Sequence, residues 1–321
     1  MASSDRLSLV WSAAGTTLLA TLLVSAPSAQ QPYLHLNPVV EKLSEGKHVF
    51  GVSTSDLSLQ NARALARDPN IDYVYLDMEH NAMRFDQLEI FLSAMTDKAG
   101  ILERGNAQAH PAVFARFVPY GREDAQWVVK HALDLGLMGI IINNIETAQQ
   151  AEAIVRTMRY MPQRDSPVPT PRGYRGTAGN APWFWGLSGV EYRRRADVWP
   201  LNPQGDLLFW PMIETVEGVD NADAIAQVPG VGGFYLGASG DLSNSLGVPD
   251  STHPDVDAAM AKILGVCEAR NIPCGGTVNA ANAAEKMRQG YRIINFGGAN
   301  GGLSGPNEAA RSAAIAAGAR R

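Results

Sequence analysis

Two hydrophobic periods alternate along most of this chain. Short apolar runs recur at residues 48–54, 73–79, 112–117, 139–143, 207–215, 233–237, 274–278 and 292–297. Each is too short for a helix, and most are rich in Val, Ile, Tyr or Phe, as buried parallel strands are. Segments with helical spacing lie between them. Leu88, Phe91, Leu92 and Met95 fall at i, i+3, i+4 and i+7, as do Val128, His131, Ala132 and Leu135. Ala151, Ile154, Val155 and Met158 share one face, and Val256, Met260, Ile263, Leu264 and Cys267 form the clearest stripe. Eight strands alternating with helices predict an α/β protein, a single-domain (β/α)8 TIM barrel. A doubly wound open sheet is the alternative. No Gly-x-Gly-x-x-Gly follows a strand and no phosphate-loop motif is present, so a nucleotide site of either kind has no support.

The first residues break this pattern. Residues 7–24 are uncharged and mostly apolar, and Ser25-Ala26-Pro27-Ser28-Ala29 follows. That layout predicts a signal peptide over 1–28, with cleavage after Ala26 or Ser28 and an exported (periplasmic or secreted) protein. A membrane anchor is the rival, although the Thr, Ser and Gly content makes a poor span. An N-terminal extension or leading helix then covers 29–44, the barrel 45–303, and an Ala-rich tail 304–321. Export bears on Cys267 and Cys274, the only cysteines. One is placed at a helix end and the other at a strand start, elements that usually diverge, so two buried thiols are expected rather than a bridge.

Composition narrows the classes. The chain has 321 residues, of which 18% are charged, and a net charge of −5. Low charge with this apolar content excludes a disordered chain, and the acidic balance argues against a nucleic-acid binder. The charges that remain collect at strand ends, where barrels place their sites. The second strand runs into Asp77-Met78-Glu79-His80, the third carries Arg116, the fifth Glu214, and the sixth leads through Gly240 to Asp241. Buried unpaired, such charges would be costly. Glu214 and Asp241 are hard oxygen ligands suited to Mg²⁺ or Mn²⁺, while a structural ion pair between Glu214 and Arg116 is the plainer alternative. His80, close to an Asp on the same strand end, has the look of an oriented base.

These residues resemble a known family. Leu76-Asp77-Met78-Glu79-His80, Ala115-Arg116-Phe117, Arg175-Gly176, Met212-Ile213-Glu214-Thr215 and Asp241-Leu242-Ser243 stand in the order found in the class II pyruvate-dependent aldolases. Those are the 4-hydroxy-2-oxo-heptane-1,7-dioate aldolase group of the citrate lyase β superfamily, whose fold is a phosphoenolpyruvate/pyruvate-type barrel. The resemblance covers roughly residues 45 to 300. It implies that Glu214 and Asp241 ligate a divalent metal (Mg²⁺, Mn²⁺ or Co²⁺) that chelates a 2-oxo acid. It implies that His80, oriented by Asp77, is the base for the 4-hydroxyl of the aldol, working through a water. Arg116 would hold the keto or enolate oxygen, and the turn at Gly240 would contact the substrate carboxylate. Asp134 would serve a neighbouring subunit's site, implying a homo-oligomer, hexamer or trimer. The expected substrates are a small 2-oxo acid and an aldehyde. The strand ends carry no lysine, which agrees with enolate rather than imine chemistry.

The sequence departs from that family in places. The turn 237–241 is one residue longer and lacks the family's proline. Residues 163–170 are extra, and Pro182-Trp183-Phe184-Trp185-Gly186 reads either as a lid or as a packed excursion. Arg193-Arg194-Arg195 reads as a solvated run, with capture of an anionic group as the other possibility. A citrate-lyase-like reaction on another acid or a CoA ester is the second enzyme reading. An exported barrel that binds without catalysis is the non-enzyme reading.

Overall fold

The structure is a computed structural model that describes residues 33–118, 120–177, 179–237 and 239–321. The expected signal segment, 1–28, lies outside the described residues. Among the described residues nine strands form one sheet: β1 (Val49–Thr54), β2 (Tyr73–Met78), β3 (Ala112–Phe117), β4 (Gly139–Ile142), β5 (Val198–Trp199), β6 (Leu207–Pro211), β7 (Phe234–Leu236), β8 (Cys274–Thr277) and β9 (Ile293–Gly298). Every pairing is parallel, and the order is β5-β6-β4-β3-β2-β1-β9-β8-β7. The sheet therefore curls, with the last strand β9 beside the first. Beyond the paired strands, Gly232 N–H donates to the Phe209 carbonyl at 3.0 Å, joining the approach to β7 with β6. All eight runs expected from the sequence are strands. The two-residue β5 was not expected, because it is too short to leave a periodic signal.

The inside of the curl is filled by aromatic layers. Tyr73, Phe114 and Trp210 meet at centroid separations of 5.6, 5.4 and 4.6 Å, and Tyr75 meets Tyr235 one layer higher at 5.4 Å. Glycine makes room for them. A Cβ at Gly51 would lie 2.3 Å from the Tyr73 ring, and one at Gly139 2.3 Å from the Phe114 ring. Side chains of this size deliver most of the apolar burial available inside a small barrel.

Helices cover the outside. The helix Ala148–Met158 starts in a capping box between Thr147 and Gln150 and buries Ala151, Ile154, Val155 and Met158, the stripe read from the sequence. The helix Gln126–Leu135 buries Val128 and Ala132 of the expected stripe together with Val129 and Leu133; Leu135 is half-buried, and His131 is exposed and lies edge-on to Phe85 at 4.5 Å. Both faces of that helix fit a 3.6-residue period, so only the neighbouring strands could choose between them.

The N-terminal extension and the tail dock at the strands' N-terminal ends. Asp206, fully buried, accepts from the His35 ring (3.0 Å), the Leu36 N–H (2.9 Å) and Arg195 Nε (2.7 Å). Asp72 accepts from the Phe50 N–H (2.9 Å), Lys42 (2.5 Å) and Arg321 Nη2 (2.8 Å), tying the helix Pro38–Ser44 and Arg321 to the start of β2. The helix Gly305–Ala316 buries Ala310 and Ala314.

One expectation is corrected here. Cys267 and Cys274 form a disulfide, with Cα atoms 6.2 Å apart. The helix Pro254–Arg270 stops at Asn271 in a left-handed cap (φ 51°), and the Ile272 N–H folds back to the Cys267 carbonyl at 3.0 Å. This cap reverses the chain within one turn, so the helix end and the strand start do not diverge. Replacing both cysteines by Ala should cost about 2 kcal/mol, as expected for a short closed loop. Thermal melts should show a Tm several degrees lower, and an unchanged Tm would mean the bridge adds no stability.

Candidate active site

The C-terminal ends of the strands surround a cavity of about 540 Å³. Tyr75 and Tyr235 line it together with Asp77, Arg116, Met212 and Thr277, and Ser53, Thr54, Asn81 and Asn300 line it as well. A larger cavity of about 880 Å³ lies against the helices Pro254–Arg270 and Ala283–Arg288, away from the strand-end charges of β2 and β3.

Strand register brings the first pair together. Asp77 and Arg116 are direct partners on β2 and β3. Neighbours in a parallel ladder point to the same face, so the guanidinium reaches across to both carboxylate oxygens, Nη2–Oδ2 at 2.9 Å and Nε–Oδ1 at 3.3 Å. Its remaining nitrogen, Nη1, meets Glu79 Oε2 at 2.9 Å. Below, the Arg116 charge lies over the Tyr75 ring at 5.5 Å. Burial alone would raise the Asp77 carboxyl, but the Arg116 hydrogen bond and charge outweigh it and hold Asp77 below the usual carboxylate range.

Glu79 was not singled out from the sequence, yet it joins several groups. Besides Arg116, it meets the His80 ring at Nε2–Oε2 3.4 Å. Tyr120 also hydrogen-bonds to it and is close enough to Asp241 and Glu214 to feel their charges; burial, then Glu79, pushes the phenol up. Asp77 reaches His80 only through the backbone, accepting from the Glu79 N–H at 3.1 Å and the His80 N–H at 3.3 Å. The expected contact from Asp77 to the His80 ring is therefore replaced by one from Glu79. The chain turns sharply after Met78, and Arg116 already occupies both Asp77 oxygens.

Glu214 follows β6 and is only 3% exposed. Its Oε2 accepts from the Asn144 N–H at 3.0 Å, while Arg116 pairs with Asp77 and Glu79, so the alternative of a Glu214–Arg116 ion pair does not hold. Burial pushes the Glu214 carboxyl up to about 7, with Asp241 and Glu79 adding to the rise and the Asn144 N–H and Arg116 opposing it. Asp241 is exposed in the first turn of the helix Ser239–Leu246, which begins just after β7. Gly240 precedes it, its carbonyl accepting from Ser243 Oγ at 2.7 Å. The longer turn is thus taken up as the start of a helix.

A hard divalent cation fits this donor set. Asp241 and Glu79 add to the cost of ionising the buried Glu214, which a cation would relieve. Among the described residues no group of three or more His, Cys, Asp or Glu is arranged to hold a metal. The fit is therefore to an ion that takes two carboxylates and keeps its other places for water and substrate, as Mg²⁺ does.

Other expected positions lie elsewhere. Asp134, near the end of the helix Gln126–Leu135, is paired with Lys130 (2.5 Å) and with Arg175 (3.1 Å) in its own subunit. The aromatic segment is a packed excursion: Trp185 is buried and donates to the Gly136 carbonyl at 2.9 Å, while Trp183 is exposed. That carbonyl lies beyond the helix end, on the side where β4 begins, so the segment is no lid over the cavity.

Comparison with known proteins agrees with this layout. The HpcH/HpaI aldolase/citrate lyase family matches residues 59–304. A hydroxypyruvate/pyruvate aldolase of Paraburkholderia phytofirmans is 31% identical over 262 residues, covering 80% of this chain and 90% of that protein. One from Roseobacter denitrificans is 31% identical over 230 residues, covering 71% and 77%. A crystal structure of a family protein from Burkholderia cenocepacia superposes with a TM-score of 0.66 at 28% identity, covering 82% of this chain and 93% of the other.

The raised Glu214 carboxyl has a measurable consequence. Between its ordinary value of 4.5 and about 7, the metal-free folded protein holds a proton that the unfolded chain has released. The stability from this group is complete below 4.5 and is lost as pH rises through 7. Melts of metal-free Glu214→Gln and wild type at pH 5 and pH 8 should show the variant gaining relative Tm at the higher pH. A pH-independent difference would mean that Glu214 ionises normally.

Proposed function

Because the chain belongs to the HpcH/HpaI aldolase/citrate lyase family, we propose that it is a metal-dependent carbon–carbon lyase, a class II aldolase acting on 4-hydroxy-2-oxo acids. Pyruvate or a related 2-oxo acid, hydroxypyruvate included, is the nucleophilic component, and an aldehyde is its partner. The observation that carries this is Arg116, held by Asp77 and Glu79 beside Glu214 with its guanidinium on the cavity. Retro-aldol cleavage leaves an enolate, and the site must place positive charge where that oxygen forms.

In this mechanism Glu214 and Asp241 hold the divalent ion, Mg²⁺, Mn²⁺ or Co²⁺. When bound, the ion supplies Lewis-acid stabilisation of the enolate oxygen and orients the 2-oxo acid. Arg116 donates to the keto oxygen of the substrate. Two carboxylates fix its fork, so little reorganisation accompanies the growth of charge. His80 takes the proton of the 4-hydroxyl, and Glu79 beside its ring stabilises the imidazolium. The C3–C4 bond then breaks, the aldehyde leaves, and a proton returned to C3 completes pyruvate. Gly240, opening the helix after β7, contacts the substrate carboxylate. Tyr75 and Tyr235 close the floor.

The same proposal takes the eight strands other than β5 as a (β/α)8 barrel. The β1–β9 pairing and the Gly232–Phe209 hydrogen bond support that closure. It includes export with cleavage of residues 1–28, which the Cys267–Cys274 disulfide supports, since such bonds persist in oxidising compartments. It also includes a homo-oligomer, hexamer or trimer. The exposed Trp127 and Trp183 support a contact between copies, with Asp134 acting at the partner's site.

Purified protein with Mg²⁺, Mn²⁺ or Co²⁺ should release pyruvate from a 4-hydroxy-2-oxo acid, and a chelator should abolish the release. Arg116→Ala should lower kcat/KM by about 100-fold or more, the scale of losing a preorganised oxyanion donor. Absence of pyruvate release with every metal, together with unchanged metal affinity in Glu214→Ala, would favour the non-catalytic binding protein. Glu79→Gln should also reduce kcat/KM, by about tenfold or more, as expected for a group positioning both the base and the guanidinium. A fully active, folded Glu79→Gln would remove Glu79 from the mechanism.

A further inference from the structure

A second cavity of about 440 Å³ is built from segments that the proposed lyase chemistry does not use. Its wall includes Tyr160, Gln163, Ser166 and the arginines Arg159, Arg175, Arg193 and Arg194, facing two carboxylates, Asp165 and Asp197. The volume suits a small-molecule ligand.

This wall is pinned from inside. Arg159, 1% exposed, grips Asp197 through Nε (2.6 Å) and Nη2 (2.9 Å) and also donates to the carbonyls of Pro171 (2.6 Å) and Val168 (2.9 Å). The segment 163–171 is thereby fastened to the residues before β5. Asp197 is fully engaged by this grip, and it also accepts from Asn202 at 3.1 Å.

Arg175 is the decisive group. Its side chain is 0% exposed; Nε and Nη2 bind Asp134, and Nη2 also donates to the Tyr192 hydroxyl at 2.8 Å. Nη1 has no hydrogen-bond partner. Tyr160 covers the guanidinium with its ring at 4.5 Å. A buried donor left unpaired is costly, and the charge around it is unbalanced, because Asp134 is shared between Arg175 and Lys130. At the rim, the neighbouring Arg193 and Arg194 are exposed, and neither has a hydrogen-bond or ion-pair partner among the described residues. Of the Arg193-Arg194-Arg195 run, only Arg195 is tied down, by Asp206 and the Leu34 carbonyl.

We propose that this cavity is a binding site for a small oxyanion-bearing metabolite, a phosphate ester or a dicarboxylate, held by Arg193 and Arg194 at the rim and by Arg175 within. The anionic group supplies the acceptor that Arg175 Nη1 lacks. Forked arginines are the side chains best matched to such groups. Tyr160, Met161 and Pro162 offer apolar contact to the body of the ligand. The other carboxylate on the wall, Asp165, is exposed and leaves the arginines in excess.

The test is calorimetric titration of inorganic phosphate and, separately, of succinate into metal-free full-length protein. One saturable site per chain is expected for at least one of the two, and the tighter probe identifies the phosphoryl or carboxylate source. Arg193→Ala/Arg194→Ala should weaken binding at least tenfold with unchanged Tm in the absence of anion. Arg116→Ala, which alters the catalytic cavity, should bind as wild type does, as should Arg63→Ala/Arg67→Ala, which removes exposed arginines elsewhere. Failure of both probes to bind overturns the proposal. So does equal affinity in the Arg193/Arg194 double variant, or loss of binding in Arg116→Ala instead.

Discussion

The alignment of β2 with β3 is the constraint on which the active end of this protein depends. Tyr73, Tyr75 and Asp77 stand opposite Ala112, Phe114 and Arg116. Because side chains alternate between faces, this register sends the aromatic residues and the charged pair into one interior. A slip of one residue would turn Arg116 outward and leave Asp77 without its partner. The aromatic layers also serve as a base. Tyr73, Phe114 and Trp210 fill the lower interior, Tyr75 and Tyr235 the next layer, and the guanidinium rests above Tyr75. The site is thus supported from below by packed rings, while the loops around it are free to vary.

Carboxylates do opposite work at the two ends of the strands. At the N-terminal ends, Asp206 and Asp72 are saturated with donors and hold the chain's extensions in place. At the C-terminal ends, Asp77 and Glu79 take up Arg116, and Glu214 and Asp241 beyond them leave acid in excess. Glu214 records the imbalance, since its ionised form is disfavoured by burial and by two neighbouring acids. A saturated carboxylate is structural; an unsaturated group of them is poised for a cation. The arginine-lined cavity is the reverse case, with more guanidinium than acceptor.

The strands were legible because buried parallel strands are continuous apolar runs, and the strand-end charges were legible because they interrupt those runs. Less local features were not. The buried face of the helix Gln126–Leu135 is only half legible, because His131 and Val129 flank the Val128–Ala132 line on opposite sides and either side fits the helical period. The disulfide is not legible in the spacing of Cys267 and Cys274, because its geometry rests on the left-handed cap at Asn271. Nothing in the string Asp77–His80 marks out Glu79, whose carboxylate contacts both Arg116 and His80 only once the strand ends are assembled.

By itself the sequence determined the order of elements, the parallel sheet, the set of polar residues at the strand ends and their likeness to a lyase family. These follow from period, composition and short strings, which are local properties of the chain. Only the tertiary structure decided which of those residues meet. Asp77 binds Arg116 rather than orienting His80, Glu214 turns to a backbone N–H, and Asp134 is taken by Arg175 and Lys130. The reason is that a charged side chain takes its partner from whatever the fold brings within about 3 Å, and that distance is set by strand register and loop closure between residues far apart in the chain.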